Sequence, residues 1–408
     1  MMLLKIAWRN IWRSKLRSTV VLLAIASGLL GGLFSSAWMN GMANQRVRNA
    51  FSIETAHIQF HNPGFAENFD IKKTIVSTSE KLKELSEIDG IKAVTSRITT
   101  QAMAATANKN SGVIIVGIDT KTEREVFGLY NKVDPTDGTF FETKKRNPIV
   151  ISKALAKELK AKLKSKIVLT FQDYNGKITG AAFKVVGIYK TQNSPWDKMH
   201  VFVKQSDLRK VLALPLNQSH EIDILLDDYT QAPIVSKMLQ EKYPDVLSED
   251  WAVIQPYLSF ISEYMDLMMG IFIVIILAAL GFGIVNTMLM VILERTRELG
   301  MLMAIGMSKS RIFKMIMLET VMLALVGAAI GELLSMFFIN YYGSVGVDVS
   351  SLAEGLESVG YSAISYPELE AIRYVYMTIM VLITGIVASI YPAIKALKLH
   401  PVEAIRTL

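Results

Sequence analysis

Four long apolar runs and one large polar region set the outline of this chain. Thr19 to Met39, Asp266 to Leu293, Met315 to Ile339 and Ile372 to Ile394 each reach about 20 residues or more, enough for a helix to cross a hydrocarbon core of about 30 Å. The segments that join them differ in charge. Residues 1–17 hold Lys5, Arg9, Arg13, Lys15 and Arg17 and no acid. Residues 294–314 hold Arg295, Arg297, Lys309, Arg311 and Lys314 against Glu294 and Glu298, and the tail at 395–408 holds Lys395, Lys398 and Arg406. Residues 340–371 hold Asp348, Glu354, Glu357, Glu368 and Glu370 and no base. Basic segments stay in the cytoplasm. The pattern therefore predicts a multi-pass protein of the cytoplasmic membrane with both termini cytoplasmic. Crossings are expected at 18–40, 266–293, 315–339 and 372–394. They leave an interfacial helix at 1–17, an extracytoplasmic domain at 41–262, a cytoplasmic turn at 294–314, an external loop at 340–371 and a cytoplasmic tail at 395–408.

On a helical wheel Lys5, Arg9 and Arg13 share one face and Leu4, Trp8, Ile11 and Trp12 another, as in a helix lying on the membrane surface. The rival reading is a signal peptide with Ser35-Ser36-Ala37 as its cleavage site, but the apolar run exceeds a signal core. Beyond the first crossing, Asn44 to Phe51 continues the helix. Thr55 to Phe60 alternates like a strand and is closed by Asn62-Pro63-Gly64. Ser79–Ile88 reads as an amphipathic helix, with strands near Ile91–Thr99 and Val113–Ile118. Ile149–Leu169 reads as strand, helix opened by Ser152, then strand, and Asn175-Gly176 as a tight hairpin. Phe183–Tyr189 is expected as a strand, Thr191–Asp197 as a loop, Glu221–Leu226 as a strand and Ala232–Tyr243 as a helix. The fold class is thus membrane α-helical, with four transmembrane helices and a large α+β extracytoplasmic domain.

Composition narrows the function. With no cysteine, thiol catalysis, disulfides and a lipid-modified N-terminal cysteine are excluded on this chain. The net charge of +7 lies largely beside apolar runs, so membrane lipid headgroups explain it better than nucleic acid. No GxxxxGK[ST], HExxH or GxSxG is present. The chain lacks the usual phosphate-cradling loop and any catalytic constellation, and it is not expected to be an enzyme. His57 and His61 would share a strand face. Without a cysteine or a nearby acidic cluster, a surface or hydrogen-bonded role is favoured over a metal. Glu319 and Glu332 fall inside the third run, where a mid-bilayer charge costs about 2.5–3.5 kcal/mol. They are about 20 Å apart along a helix, which puts them near opposite membrane faces, where local partners can serve them. Gly28 with Gly32, Ala279 with Gly283, Gly327 with Gly331, and Gly385 with Ser389 have helix-packing spacing.

The cytoplasmic turn is charged at both ends and apolar in the middle. Met301-Leu302-Met303-Ala304-Ile305, bounded by Gly300 and Gly306, is too short to span a bilayer. Such a knob fits either the groove of a soluble partner or an interfacial turn touching headgroups.

The stretch ERTRELGMLMAIGMSKSRIF resembles the signature turn of the FtsX/MacB-type ABC transporter permeases. Glu294, Arg295, Arg297, Glu298, Gly300, Ala304, Ile305 and Gly306 fall in register, with Leu302 and Met307 beside them. The segment Pro401-Val402-Glu403-Ala404-Ile405 also matches that family's C-terminal pattern. The resemblance implies that the turn is a coupling helix docking on an ABC ATPase subunit. ATP and Mg would sit on that partner, leaving no cofactor on this chain. It also implies a porter-like subdomain with a β-rich insertion at about 119–200. Four crossings are few for a transporter, so a homodimer or a paralogous permease subunit is expected, working by mechanotransmission.

Met39-Asn40-Gly41-Met42 resembles the MNGF segment of the LolC/LolE lipoprotein-releasing permeases. This implies lipoprotein release from the cytoplasmic membrane, with a lipoprotein as cargo and a periplasmic carrier. The alternatives are MacB-like efflux of peptides or small molecules and FtsX-like force transmission to cell-wall hydrolases. Met42, Val47 and Phe51 continue an apolar stripe past the first crossing, and Phe260, Ile261, Met265 and Met268 form one before the second. The two stripes read as a cargo cleft or as walls packed on each other.

Overall fold

The computed structural model describes residues 8–398, apart from 10, 14 and 143–145. The expected C-terminal helix at Pro401–Ile405 and the first seven residues of the interfacial helix lie outside the described residues. The chain divides into two compact units. A membrane unit comprises Met1–Ala43, Glu263–Asp348 and Ile364–Leu408, and a mixed α/β unit comprises Asn44–Ser262 with Val349–Ala363. Helix α1, Lys15–Ile53, runs well past the predicted crossing. Its last turns stay helical because Val47, Ala50 and Phe51 are buried in the core of the mixed unit.

Ten strands form one sheet. They are β1 Ile58–His61, β2 Ile91–Ala105, β3 Asn110–Ile118, β4 Val133–Gly138, β5 Pro148–Ser152, β6 Lys166–Gln172, β7 Ile178–Tyr189, β8 His200–Lys204, β9 Glu221–Leu226 and β10 Leu247–Asp250. The order is β10-β1-β9-β2-β3-β8-β5-β7-β4, and β6 pairs with both β2 and β7. Strands β2, β3, β8, β5, β7 and β6 thereby close on themselves into a six-stranded ring. The ring is filled by alternate side chains: Ile149 and Ile151, Ile167, Leu169 and Phe171, Phe183 and Val185, Val201 and Val203.

The insertion expected at about 119–200 does not match the edges of this ring. The hairpin β2–β3 precedes residue 119, and β8 begins at His200, yet all three strands belong to it. The reason is length. Strand β2 has 15 residues, so one end pairs β9 in the open sheet while the other, Met103 to Ala105, pairs β6.

Over the open part of the sheet lie helices α2, Ser79–Ser86, and α4, Ala232–Lys242, whereas α3, Gln205–Leu212, contributes Leu208 and Leu212 to the core of the ring. Leu85 of α2 and Leu239 of α4 pack with Ile58, Phe60, Ile222 and Ile224. Thr78 caps α2 by accepting from Lys81 N, and Ser152 caps the 153–158 helix by accepting from Leu155 N. The expected loop at Thr191–Asp197 is in part a helix, Ser194–Met199. Pro195 sits in its first turn, where a missing N–H is harmless, and Asn193 caps it by accepting from Trp196 N. Both histidines singled out in sequence are buried. His57 Nδ1 accepts from Leu226 N at 3.1 Å, and His61 Nε2 lies 2.8 Å from Glu249. The loop expected at 340–371 is divided, since 349–363 joins the mixed unit, where Lys190 Nζ meets Glu357 at 2.8 Å.

The membrane unit is built on α1, α5 Pro256–Glu294, α7 Lys309–Val345 and α8 Ala371–Leu397, with the short α6 Thr296–Ala304 between α5 and α7. All four long helices are apolar enough to cross a membrane. Ile25, Leu29 and Leu33 of α1 pack with Leu280 and Ile284 of α5, Leu323 and Ala328 of α7, and Met377 and Val381 of α8. A Cβ on Gly327 would lie 2.9 Å from Ile25, and one on Gly331 would lie 2.9 Å from Leu29 Cβ, so both glycines let α7 approach α1 closely. Gly385 faces Ala324, but Gly283 meets nothing within 4 Å among the described residues. Glu332 accepts from Thr378 Oγ1 on α8, and Glu319 meets Arg295, so both intramembrane acids have local partners.

Candidate functional site

The turn between α5 and α7 is a helix with a defined stop. Arg295 is the N-cap of α6 and Ile305 its C-cap. Gly306 follows at φ +97°, a conformation that L side chains rarely adopt. Met307 N donates to Leu302 O at 3.0 Å and Gly306 N to Met303 O at 3.1 Å, which is the paired closure of a Schellman motif. Its usual apolar contact is served by Leu302 and Met307, both packed on the core of the membrane unit. Leu299 and Gly300 are buried beneath.

Charge fixes the other end. Arg295 Nη1 donates to both carboxylate oxygens of Glu319 at 3.0 Å, and Arg295 Nε donates to Glu298 at 3.2 Å. Arg13 reaches the same Glu298 at 2.8 Å. Glu319, the acid that sequence reading left to unspecified partners, thus holds the start of α6 onto α7.

The apolar segment is divided by this seating. Leu302 and Met303 turn inward, whereas Met301 is 51% exposed and Ile305 84% exposed. Ala304, Glu294 and Arg297 are on the surface as well. Of the expected coupling residues, Gly300, Leu302 and Met307 therefore support the helix from below, and Ile305 stands out from it.

The residues of the expected cargo cleft are not equivalent. Val47 and Phe51 belong to the mixed unit's core, where Phe51 packs edge-on against Trp251 at 5.3 Å, so they cannot line an open wall. Ile261 is buried, Met42 and Met265 are half-buried, and Phe260 and Met268 are exposed. The Met-Asn-Gly segment has a structural task. Asn40 Nδ2 donates to Glu368 O at 3.0 Å, Glu368 N donates to Ala37 O at 2.9 Å, and Gly41 faces the Tyr366 carbonyl with no room for a Cβ. Among the described residues no group of three or more His, Asp or Glu could hold a metal ion.

Two family models cover most of the chain. That of the MacB-like periplasmic core domain matches residues 18–242, and that of the FtsX-like permease C-terminal region matches residues 270–401. The chain belongs to the FtsX/MacB-type ABC transporter permeases. This permease is 24% identical over 420 residues to the macrolide export ATP-binding/permease protein MacB of Agrobacterium fabrum, covering 98% of this chain and 60% of that protein. It is 29% identical over 233 residues to MacB of Bordetella avium, covering 54% and 33%. It is also 25% identical over 428 residues to the pyoverdine export ATP-binding/permease protein PvdT of Pseudomonas fluorescens, covering 98% and 58%. The permease thus spans between a third and three fifths of these relatives' length. Among solved structures it is similar to the periplasmic region of MacB from Actinobacillus actinomycetemcomitans at 13% identity, covering 53% of this chain and 98% of that one, with a TM-score of 0.35. By the family model over residues 18–242 the α/β unit of this permease is of the periplasmic type, and the chain also has four candidate membrane helices.

Proposed function

We propose that this chain is the membrane subunit of an exporter that moves a peptide or other small secreted compound from the outer face of the cytoplasmic membrane, driven by ATP hydrolysis on a separate ATPase. The observation that carries the docking site is the exposure of Ile305 and Met301 on a helix whose Leu299, Leu302 and Met303 are already seated. Lys309, Arg311 and Lys314 follow directly, which favours a cytoplasmic position for that helix. Helices α1 and α5 have 39 residues each, about 58 Å of continuous rod against a hydrocarbon core of about 30 Å. Rods of that length can carry a push at α6 to the far side of the membrane, which is the mechanotransmission expected of a dimer of such subunits. Export is preferred to lipoprotein release on two grounds. The relatives compared above are named as macrolide and pyoverdine exporters, and two of the residues expected to hold an acyl chain are buried in the core.

The test is Ile305→Asp, co-purified with the ATPase. Full burial of such a side chain is worth about 1.5–3 kcal/mol, so its loss weakens docking roughly ten- to a hundredfold. The chain itself is expected to fold, because the side chain is exposed. Wild-type binding and wild-type stimulation of ATP turnover would reject this helix as the docking site.

A further inference from the structure

The α/β unit contains a cavity of about 300 Å³ over the polar face of the central sheet, at the small end of ligand sites. The face follows from strand register. Glu221 of β9 stands opposite Arg97 of β2, and Asp223 follows two residues on, on the same side. Arg97 is fully engaged. It meets Glu123 at 2.5 and 3.3 Å and Asp223 at 3.6 Å, and its guanidinium lies 3.5 Å above the Phe127 ring.

That leaves one acid over. Glu221 lines the cavity, is 8% exposed and makes no ion pair among the described residues. Beside it Thr99 Oγ1, in a residue 3% exposed and also lining the cavity, has no hydrogen-bond partner among the described residues other than the Glu221 carboxyl itself. The lining also holds four aromatic residues, Phe65, Phe69, Trp196 and Phe202. His200 stacks on Trp196 at 4.4 Å and is held neutral by burial.

We propose that this cavity binds a small primary amine, its ammonium on Glu221 and Thr99 and its hydrocarbon body among the Phe65, Phe69 and Trp196 rings. Ionising a buried acid that has no cationic partner is unfavourable, and an entering ammonium offsets that cost. Aromatic faces attract the same charge. An anion would meet Glu54 and Glu221 in the lining, with Arg97 already taken up by Glu123 and Asp223, and is disfavoured. Burial, then the neighbouring Asp223, pushes the Glu221 carboxyl well above its ordinary range, with Arg97 and Thr99 opposing. The other titratable groups facing it are Glu123 from the 123–126 helix and His61, its register partner on β1. An unliganded Glu221 therefore retains its proton near neutrality. The arriving ammonium displaces that proton to the buffer, and the carboxylate then pairs with the ammonium.

The site lies wholly within the α/β unit, so its failure would leave the ATPase-docking reading untouched. The test titrates the full chain in detergent with 2-phenylethylamine by calorimetry, in two buffers of different ionisation enthalpy. Saturable binding with proton release is expected, at least tenfold weaker for the uncharged 2-phenylethanol. Glu221→Gln, an isostere of the protonated acid that should fold, is expected to weaken amine binding at least tenfold and to abolish the proton release. Phe69→Leu on the aromatic wall should weaken binding severalfold and keep the release. Absence of saturable binding at millimolar amine, or equal affinity of the alcohol or of the Glu221→Gln chain, would overturn the proposal.

Discussion

Replacing Arg295 by alanine should do more damage than its surface position in sequence suggests. The Glu319 side chain is 7% exposed, and both its oxygens accept from the same Arg295 Nη1 at 3.0 Å. Arg295→Ala leaves that carboxylate buried with no cation. Removing one partner of a buried pair costs about 3–5 kcal/mol, far above the few tenths expected of an exposed ion pair. Loss of the Arg295–Glu298 contact adds little, because Glu298 keeps Arg13 and is half-exposed. The paired variant Arg295→Met with Glu319→Leu removes both charges and should recover most of the lost stability, since an apolar pair of similar volume needs no desolvation. The assay is a double-mutant cycle on chains purified in detergent, read by thermal unfolding and by protease sensitivity of the α6 turn. If Arg295→Ala unfolds within the error of wild type, the pair does not hold α6 to α7. If the double variant is no better than the single one, buried charge is not the cause of the loss.

Gly331→Leu should destabilise the membrane unit by about 1–3 kcal/mol through overpacking, because a Cβ there already sits 2.9 Å from Leu29 and Ala26 O. Gly31→Ala, with nothing within 4 Å among the described residues, is the control, and equal melting of the two variants would refute the α1–α7 contact. His220 donates through Nε2 to Ile71 O and accepts from Thr99 N through Nδ1, and burial lowers its pKa to about 4 from a reference of 6.5. The unfolded chain binds the proton first as pH falls, so this stability is whole above about pH 6.5 and is lost towards pH 4. The deficit of His220→Gln should therefore be larger at pH 7 than at pH 4.5 in chemical denaturation, and a pH-independent deficit would contradict the assignment. Asn175, Glu354 and Ser308 are exposed, and the chain has no cysteine of its own. Single cysteines at Asn175 and Glu354 should react with an impermeant thiol reagent on intact cells and one at Ser308 only after lysis; a reversed pattern at any of them would refute the orientation.

The sequence alone determined the four candidate membrane helices and the short turn between α5 and α7. Both depend on neighbouring residues: an unbroken apolar run of sufficient length, and a short apolar segment between charges that closes on Gly306. Strand β9 and the start of α4 were readable for the same reason. The 194–199 helix falls in the stretch expected as a loop, although Asn193, two residues before Pro195, is a legible cap. What only the tertiary structure decided is where distant residues meet. The antiparallel pairing of β6 with β2 closes the ring, and nothing local in either strand specifies that register. Met301 and Leu302 are equally apolar in sequence, yet one is exposed and the other packed, because the Schellman closure turns Leu302 and Met307 inward. Val47 and Phe51 formed a visible stripe, but its cover of Ile58, Ile224 and Trp251 comes from three separate elements. Arg97, Glu123, Glu221 and Asp223 were unremarked charges until the sheet gathered them. Length and periodicity are properties of adjacent residues, whereas burial and electrostatic pairing arise only when strands from far along the chain come into register.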